Sequence, residues 1–115
     1  MIHKATLLSF FLSIFLHTTA FSQTADNYID KGIAKGNQND HAGAVQEFSK
    51  ALKLSPNNSE AYFNRAIAKA RINDHTGAIQ DFTKVISLSP NDPDAYLFRG
   101  ASKKVLQDYS GALQD

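Results

Sequence analysis

No cysteine occurs among the 115 residues. Disulfides, thiolate metal ligands, a cysteine nucleophile and lipid attachment at cysteine are thereby excluded, and packing alone must hold the fold. Charge of one sign is also missing. Against 11 Asp and Glu stand 12 Lys and Arg, a formal net charge of +1, so no phosphate-tracking basic surface for nucleic acid is encoded. The chain lacks a long hydrophobic run as well. Its apolar block, Ala5 to Leu16, is interrupted only by Thr6, Ser9 and Ser13, and as a helix it rises about 18 Å against a hydrocarbon core of roughly 30 Å. Nucleophile elbows, phosphate loops and zinc-protease motifs are absent, so no catalytic residue, cofactor site or metal site is expected.

The apolar block, preceded by Lys4, has the form of a secretory signal. Ala20 and Ser22 stand two apart around Phe21, an A-x-A-like site that places cleavage before Gln23, with cleavage after Ala20 as the second choice. Phe10, Phe11, Ile14, Phe15 and Leu16 surround a helix on all sides, which suits insertion into lipid better than packing on a core. Residues 1–22 are therefore expected to be a signal peptide and the product periplasmic or secreted, with an uncleaved membrane anchor as the alternative. Removing the segment takes away Lys4 and leaves 11 acidic and 11 basic side chains.

What remains repeats itself. Ala25 to Asn58 aligns with Ser59 to Asp92 without a gap at an offset of 34 residues, and sixteen positions are identical. Asn39-Asp40-His41 returns as Asn73-Asp74-His75, and Leu54-Ser55-Pro56-Asn57 as Leu88-Ser89-Pro90-Asn91. A third copy opens at Pro93 and runs to Asp115. Each copy reads as two helices. Asn58 caps a helix from Ser59 to about Ile72, and Asn73, which tolerates a left-handed conformation, closes it. Asp74 caps the next, from His75 to about Leu88, with Ala78, Ile79, Phe82, Val85 and Ile86 on one face. Pro90 bars continuation. Asp92 and Pro93 open the third copy, the first begins near Thr24 or Ala25, and Tyr109 to Asp115 are expected to start another helix.

A helical hairpin repeating every 34 residues resembles the tetratricopeptide repeat. Tyr28, Tyr62 and Tyr96 stand at the family's first aromatic position, and Gly32, Ala66 and Gly100 at its small residue. Ala44, Ala78 and Ala112 are the small residue of the second helix, Phe48 and Phe82 its aromatic, and Pro56 and Pro90 the closing proline. The resemblance implies an all-α, right-handed superhelical stack of helix-turn-helix hairpins, with repeats at 25–58 and 59–92 and a partial one at 93–115. Lys31, Arg65 and Arg99 replace the family's usual leucine, and Lys35, Lys69 and Lys103 its second tyrosine. Their aliphatic stems are expected to cover apolar surface while the charges reach water.

In this family the concave groove, lined by the first helix of each hairpin, holds a peptide or partner helix. By resemblance its positions here are Asp26, Ile29, Asp30, Ile33 and Asn37 in the first copy, Glu60, Phe63, Asn64, Ile67 and Arg71 in the second, and Asp94, Leu97, Phe98, Ala101 and Lys104 in the third. Asp26, Asp30, Glu60 and Asp94 make one end acidic, although first-turn carboxylates also favour the helix dipole. The middle is apolar, with Phe63 as its floor, and Arg71 and Lys104 make the far end basic. One family use is a clamp for the C-terminal carboxylate of chaperones. By resemblance only Asn64 matches its polar and basic set, Ile29, Ile33, Asp94 and Phe98 occupying the remaining clamp positions, and an acidic groove repels a carboxylate.

His41 and His75 recur at equivalent positions, but successive hairpins stack about 8 to 10 Å apart, too far to share a zinc ion bound at about 2.0 to 2.1 Å. They are expected to be solvent-facing turn residues. The expected function is that of an exported, non-catalytic protein-interaction module with a protein or peptide partner. The alternative is the N-terminal part of a larger exported protein in which the repeats are structural or tethering. Because the third copy is incomplete, Ile79, Phe82 and Ile86 are expected to be partly uncovered and to invite self-association.

Overall fold

The computed structural model describes residues 24–114; the proposed signal peptide and Asp115 lie outside that range. Within it the chain is all-helical, with no strand. Helix α1 covers residues 24–37, followed by α2 (His41–Leu54), α3 (Ser59–Arg71), α4 (His75–Leu88) and α5 (Pro93–Gln114). None of these helices is long and apolar enough to cross a membrane.

The turn inside each hairpin is dictated by three residues. Asn39 and Asn73 adopt φ of 63° and 66°, the left-handed region that asparagine enters more readily than other side chains. This lets Asp40 N–H reach the Lys35 carbonyl at 2.9 Å, and Asp74 N–H the Lys69 carbonyl at 2.8 Å, closing the preceding helix in a Schellman pattern. The same aspartates start the next helix: Oδ1 of Asp40 accepts from Gly43 N–H and Oδ1 of Asp74 from Gly77 N–H, both at 2.9 Å. Asn58 caps α3 through Ala61 N–H at 3.0 Å, and Asp92 caps α5 through Asp94 and Ala95 at 3.0 and 3.2 Å.

The core has two centres. Phe48 of α2 gathers Ile29, Ala44, Ala51, Leu52, Ala61 and Ala68; Phe82 of α4 gathers Ala66, Ala78, Val85 and Ala95. Small residues allow these approaches. A Cβ built on Gly32 would stand 2.5 Å from Cε1 of Phe48, so the ring lies directly on the α1 backbone. Phe82 is wholly buried, contrary to the expectation of partial exposure. Phe98 of α5 stacks on it at 6.0 Å, and Phe63 of α3 meets it edge-on at 5.6 Å. Ile79 and Ile86 are half-buried.

The third copy departs from the first two. No helix starts at Tyr109, because α5 runs unbroken from Pro93 to Gln114. At the position of Asn39 and Asn73 the third copy carries Gln107, a good helix former without asparagine's tolerance of positive φ. The turn therefore does not form, although Asp108 occupies the capping position. The continued helix leaves Tyr96, Leu97, Phe98, Val105, Leu106 and Tyr109 exposed.

Candidate functional site

A cleft of about 450 Å³ opens between α1 and α3, lined by Ile33, Asn37, Asn64, Ile67 and Arg71. Its width follows from composition: Gly32 and Gly36 also line it, and a Cβ at Gly36 would have no neighbour within 4 Å. A second cleft of about 330 Å³ lies where α3 and α5 begin, lined by Ser59, Glu60, Phe63, Asp92 and Asp94. Two helix N-termini meet there, which favours the three carboxylates electrostatically. From Glu60 to Arg71 along α3 the rise is about 16 Å, the span of roughly five residues of extended peptide.

Eight of the groove positions read from the sequence therefore line these two clefts: Ile33, Asn37, Asn64, Ile67 and Arg71 in one, Glu60, Phe63 and Asp94 in the other. Ile29 does not belong to the groove; it is 4% exposed and packs in the core beside Phe48 and Ala61. Asp26 and Asp30 are exposed on α1 and line neither cleft. On α5, Leu97 is 67% exposed, and Ala101 and Lys104 are exposed; none of the three lines a cleft described here. Phe98 packs against Phe63 at 5.9 Å and on Phe82, so it supports the groove floor. His41 and His75 are half-buried rather than solvent-facing. His41 lines the larger cleft, and His75 lines a hollow of about 310 Å³ with Asn73, Val105, Leu106 and Tyr109.

Two of the long cations, Arg65 and Lys69, behave differently from expectation, whereas Lys31 and Lys103 are exposed. Arg65 donates from Nε and Nη2 to the two carboxylate oxygens of Asp81, both at 2.8 Å, and from Nη1 to Ser49 Oγ at 3.2 Å. Lys69 adds Nζ to Asp81 Oδ2 at 3.0 Å. The three side chains are 19%, 17% and 6% exposed, so the charges of Arg65 and Lys69 turn inward, and Arg65 ties α2, α3 and α4 together. In the first copy Lys35 and Lys50 both reach Glu47 Oε1 at 3.2 Å, while Oε2 is buried without a partner. Lys31, the counterpart of Arg65, lies over the Tyr28 ring instead. The hydrogen bond to Asp81 raises the Arg65 pKa against the opposing effect of burial.

Burial alone would raise the pKa of Glu47; hydrogen bonds and charge attraction from Lys35 and Lys50 outweigh it and hold the carboxyl below its ordinary value of 4.5. A carboxylate with a depressed folded-state pKa contributes stability above its unfolded value and loses it as pH falls through the folded one. Glu47→Gln should therefore melt below the parent at pH 7, and the gap should close as the pH falls below about 4.5. Thermal melts between pH 7 and pH 3 measure this, and a gap unchanged with pH would remove the ionic contribution from the account.

A family model described as Tetratricopeptide repeat matches residues 29–93. Among solved structures, the chain is similar to the TPR domain of Arabidopsis OM64, at 29% identity and a TM-score of 0.74, covering 78% of this chain and 74% of that one. It is similar to the first TPR of Spaghetti (RPAP3) bound to the HSP90 peptide SRMEEVD, at 28% identity and a TM-score of 0.70, covering 79% and 74%. It is also similar to the TPR2B domain of yeast Sti1 in a pHsp70 complex, at 27% identity and a TM-score of 0.71, covering 80% and 74%. A comparison with curated proteins returns no match.

Proposed function

The chain belongs to the tetratricopeptide-repeat family, and we propose that it is a non-catalytic binding module whose groove selects an apolar peptide segment with basic residues at one end. The observation that carries this reading is the polarity along α3: Glu60, with Asp92 and Asp94, borders Phe63 at one end, then come Asn64 and Ile67, and Arg71 closes the other. Two similar domains are described with chaperone peptides. The residues here favour a different ligand. Where the carboxylate clamp of the family places polar and basic groups, this chain offers Asn64 but also Ile33 and Asp94, and a C-terminal carboxylate would approach three acids or an isoleucine. A lysine or arginine on the ligand would instead be drawn to the Glu60 end, most strongly at low salt.

Selection of a displayed random-peptide library on the purified chain tests this. Enriched sequences should pair leucine, isoleucine or phenylalanine with Lys or Arg on one side. Glu60→Lys combined with Asp94→Lys should abolish the basic preference and weaken the enriched peptides by about tenfold or more at low salt. Both positions are exposed, so the fold should persist despite the loss of two first-turn carboxylates, and affinities are compared at matched helicity. Enrichment of acidic peptides, or indifference to the double reversal, would contradict the reading. A purely structural or tethering role for the repeats would show as no enrichment.

We also propose export, on sequence grounds: Lys4, the apolar block and the Ala20 to Ser22 site. Expression in a secreting host should yield a product beginning at Gln23, read by mass spectrometry of the intact chain. Cytosolic protein retaining Met1 would contradict export, and membrane-bound protein retaining Met1 would identify the anchor alternative.

A further inference from the structure

The junctions between successive first helices are built from equivalent positions but are filled differently. Where α3 meets α5, Phe98 stacks on Phe82 at 6.0 Å and meets Phe63 edge-on at 5.9 Å. Where α1 meets α3, the same positions, 34 residues earlier, hold Asn64, Phe48 and Ile29. Ile29 is buried in the core, but Asn64 supplies no ring, and Phe48 has no ring partner among the described residues. The space that Phe98 takes over Phe82 is therefore left open over Phe48. It belongs to the cleft of about 450 Å³, which Asn64 and Phe48 both line.

Glycine widens the gap. Gly36 lines the cleft where the second junction has Ala70, and Ala70 packs against the Phe82 cluster. About 150 Å³ of apolar space suffices for a benzene ring, so the cleft has room for a ring with a polar group beside it. Ile33 and Ile67 supply apolar walls, and Asn37, Asn64 and Arg71 supply hydrogen-bond donors. No carboxylate lines this cleft. Among the described residues the side chains of Asn37, Asn64 and Arg71 have neither a hydrogen bond nor an ion pair. The cation, too, is confined to the first junction, since Val105 stands where the second would carry the equivalent of Arg71.

We propose that this cleft is a specificity pocket for an aromatic side chain next to an acidic one. The ring enters between Ile33 and Ile67 and packs against Phe48 as Phe98 packs against Phe82. The carboxylate pairs with Arg71 and accepts from the asparagine amides, charge-assisted bonds roughly twice as strong as neutral ones. The inference rests on the groove reading above and fixes the second end of its ligand. With the ligand's basic residue at Glu60, the rise of about 16 Å to Arg71 sets the acid about five residues away in an extended chain.

The probes are fluorescent, end-blocked Lys-Leu-Ala-Ala-Phe-Glu and its reverse sequence, titrated into the purified full chain at low salt and followed by anisotropy. The tighter of the two gives the direction of the ligand. Replacing its phenylalanine by alanine should weaken it about tenfold or more, as loss of a central aromatic anchor does, and glutamine for glutamate should weaken it less. Asn64→Phe fills the cleft from within, so it should raise the melting temperature and abolish the preference for phenylalanine over alanine. Gly36→Leu should abolish that preference as well, and the fold should tolerate it, because Gly36 has no positive φ and leucine favours a helix over glycine. Arg71→Val should remove only the preference for glutamate over glutamine. A parent chain that binds the phenylalanine and alanine peptides equally overturns the inference, as does a preference that survives both Asn64→Phe and Gly36→Leu; dependence on the lysine and on Glu60 would then leave the groove reading standing. Binding that needs the phenylalanine but not the lysine upholds the pocket and overturns the basic preference of the groove. Absence of binding by both probes overturns both.

Discussion

Arg65→Ala should lower the stability by about 3 to 5 kcal/mol, because it leaves the Asp81 carboxylate buried with Lys69 as its remaining partner. For a domain of this size each kcal/mol moves the melting temperature by roughly 4 to 8 °C, so a fall of more than about 10 °C is expected by calorimetry. The loss has two parts: the two bonds to Asp81, and the bond to Ser49 that joins α2 to the second hairpin. Arg65→Lys should recover only part of it, since an ammonium cannot reproduce the planar fork. Replacing Arg65, Lys69 and Asp81 together with apolar residues of similar volume should cost far less than Arg65→Ala, because desolvation of the charges then disappears with their attraction. A single substitution within 1 kcal/mol of the parent would mean that the cluster is solvated in solution.

Phe82→Ala should be at least as damaging, at about 3 to 5 kcal/mol for emptying the site of a buried ring. Small domains have only about 5 to 15 kcal/mol in total, so a large share of the stability should be lost. Phe82 touches Phe63 and Phe98, and such aromatic pairs add about 0.5 to 1.5 kcal/mol each beyond burial. Phe48 has no ring partner among the described residues. Phe48→Ala should therefore cost less than Phe82→Ala, despite the identical repeat position. Urea denaturation of both variants gives the order directly. The reverse order would show that the α5 contact with Phe82 contributes little.

The hairpins were legible in the sequence because their boundaries depend on local chemistry. Asn73 with Asp74 writes a helix stop and a helix start into two adjacent residues, and the same pair at Asn39 and Asp40 repeats the message. The unbroken α5 was misread, a new helix being expected at Tyr109: Gln107 replaces the asparagine, and without positive φ the Asp108 cap has nothing to cap. Half of the groove was readable from the face of the first helices. Ile29 was not, since periodicity alone does not say whether a position facing the groove side sinks between α1 and its neighbours. The ion pairs were the largest omission. Their signal was present: Glu47 and Asp81 each interrupt an otherwise apolar helix face at the same place, and cations stand at two positions where the family is usually apolar or aromatic. Reading it needed the geometry of partners 12 and 16 residues apart.

The central claim concerns which end of a peptide the groove attracts. Affinity of the purified chain for two peptides of equal length decides it: SRMEEVD, and a seven-residue sequence with leucine and phenylalanine between lysines, compared by anisotropy at low and high salt. The account predicts that the lysine peptide binds at least tenfold more tightly at low salt and that its advantage shrinks as salt screens Glu60, Asp92 and Asp94. Tighter binding of SRMEEVD, lost on amidation of its C-terminal carboxylate, would contradict it.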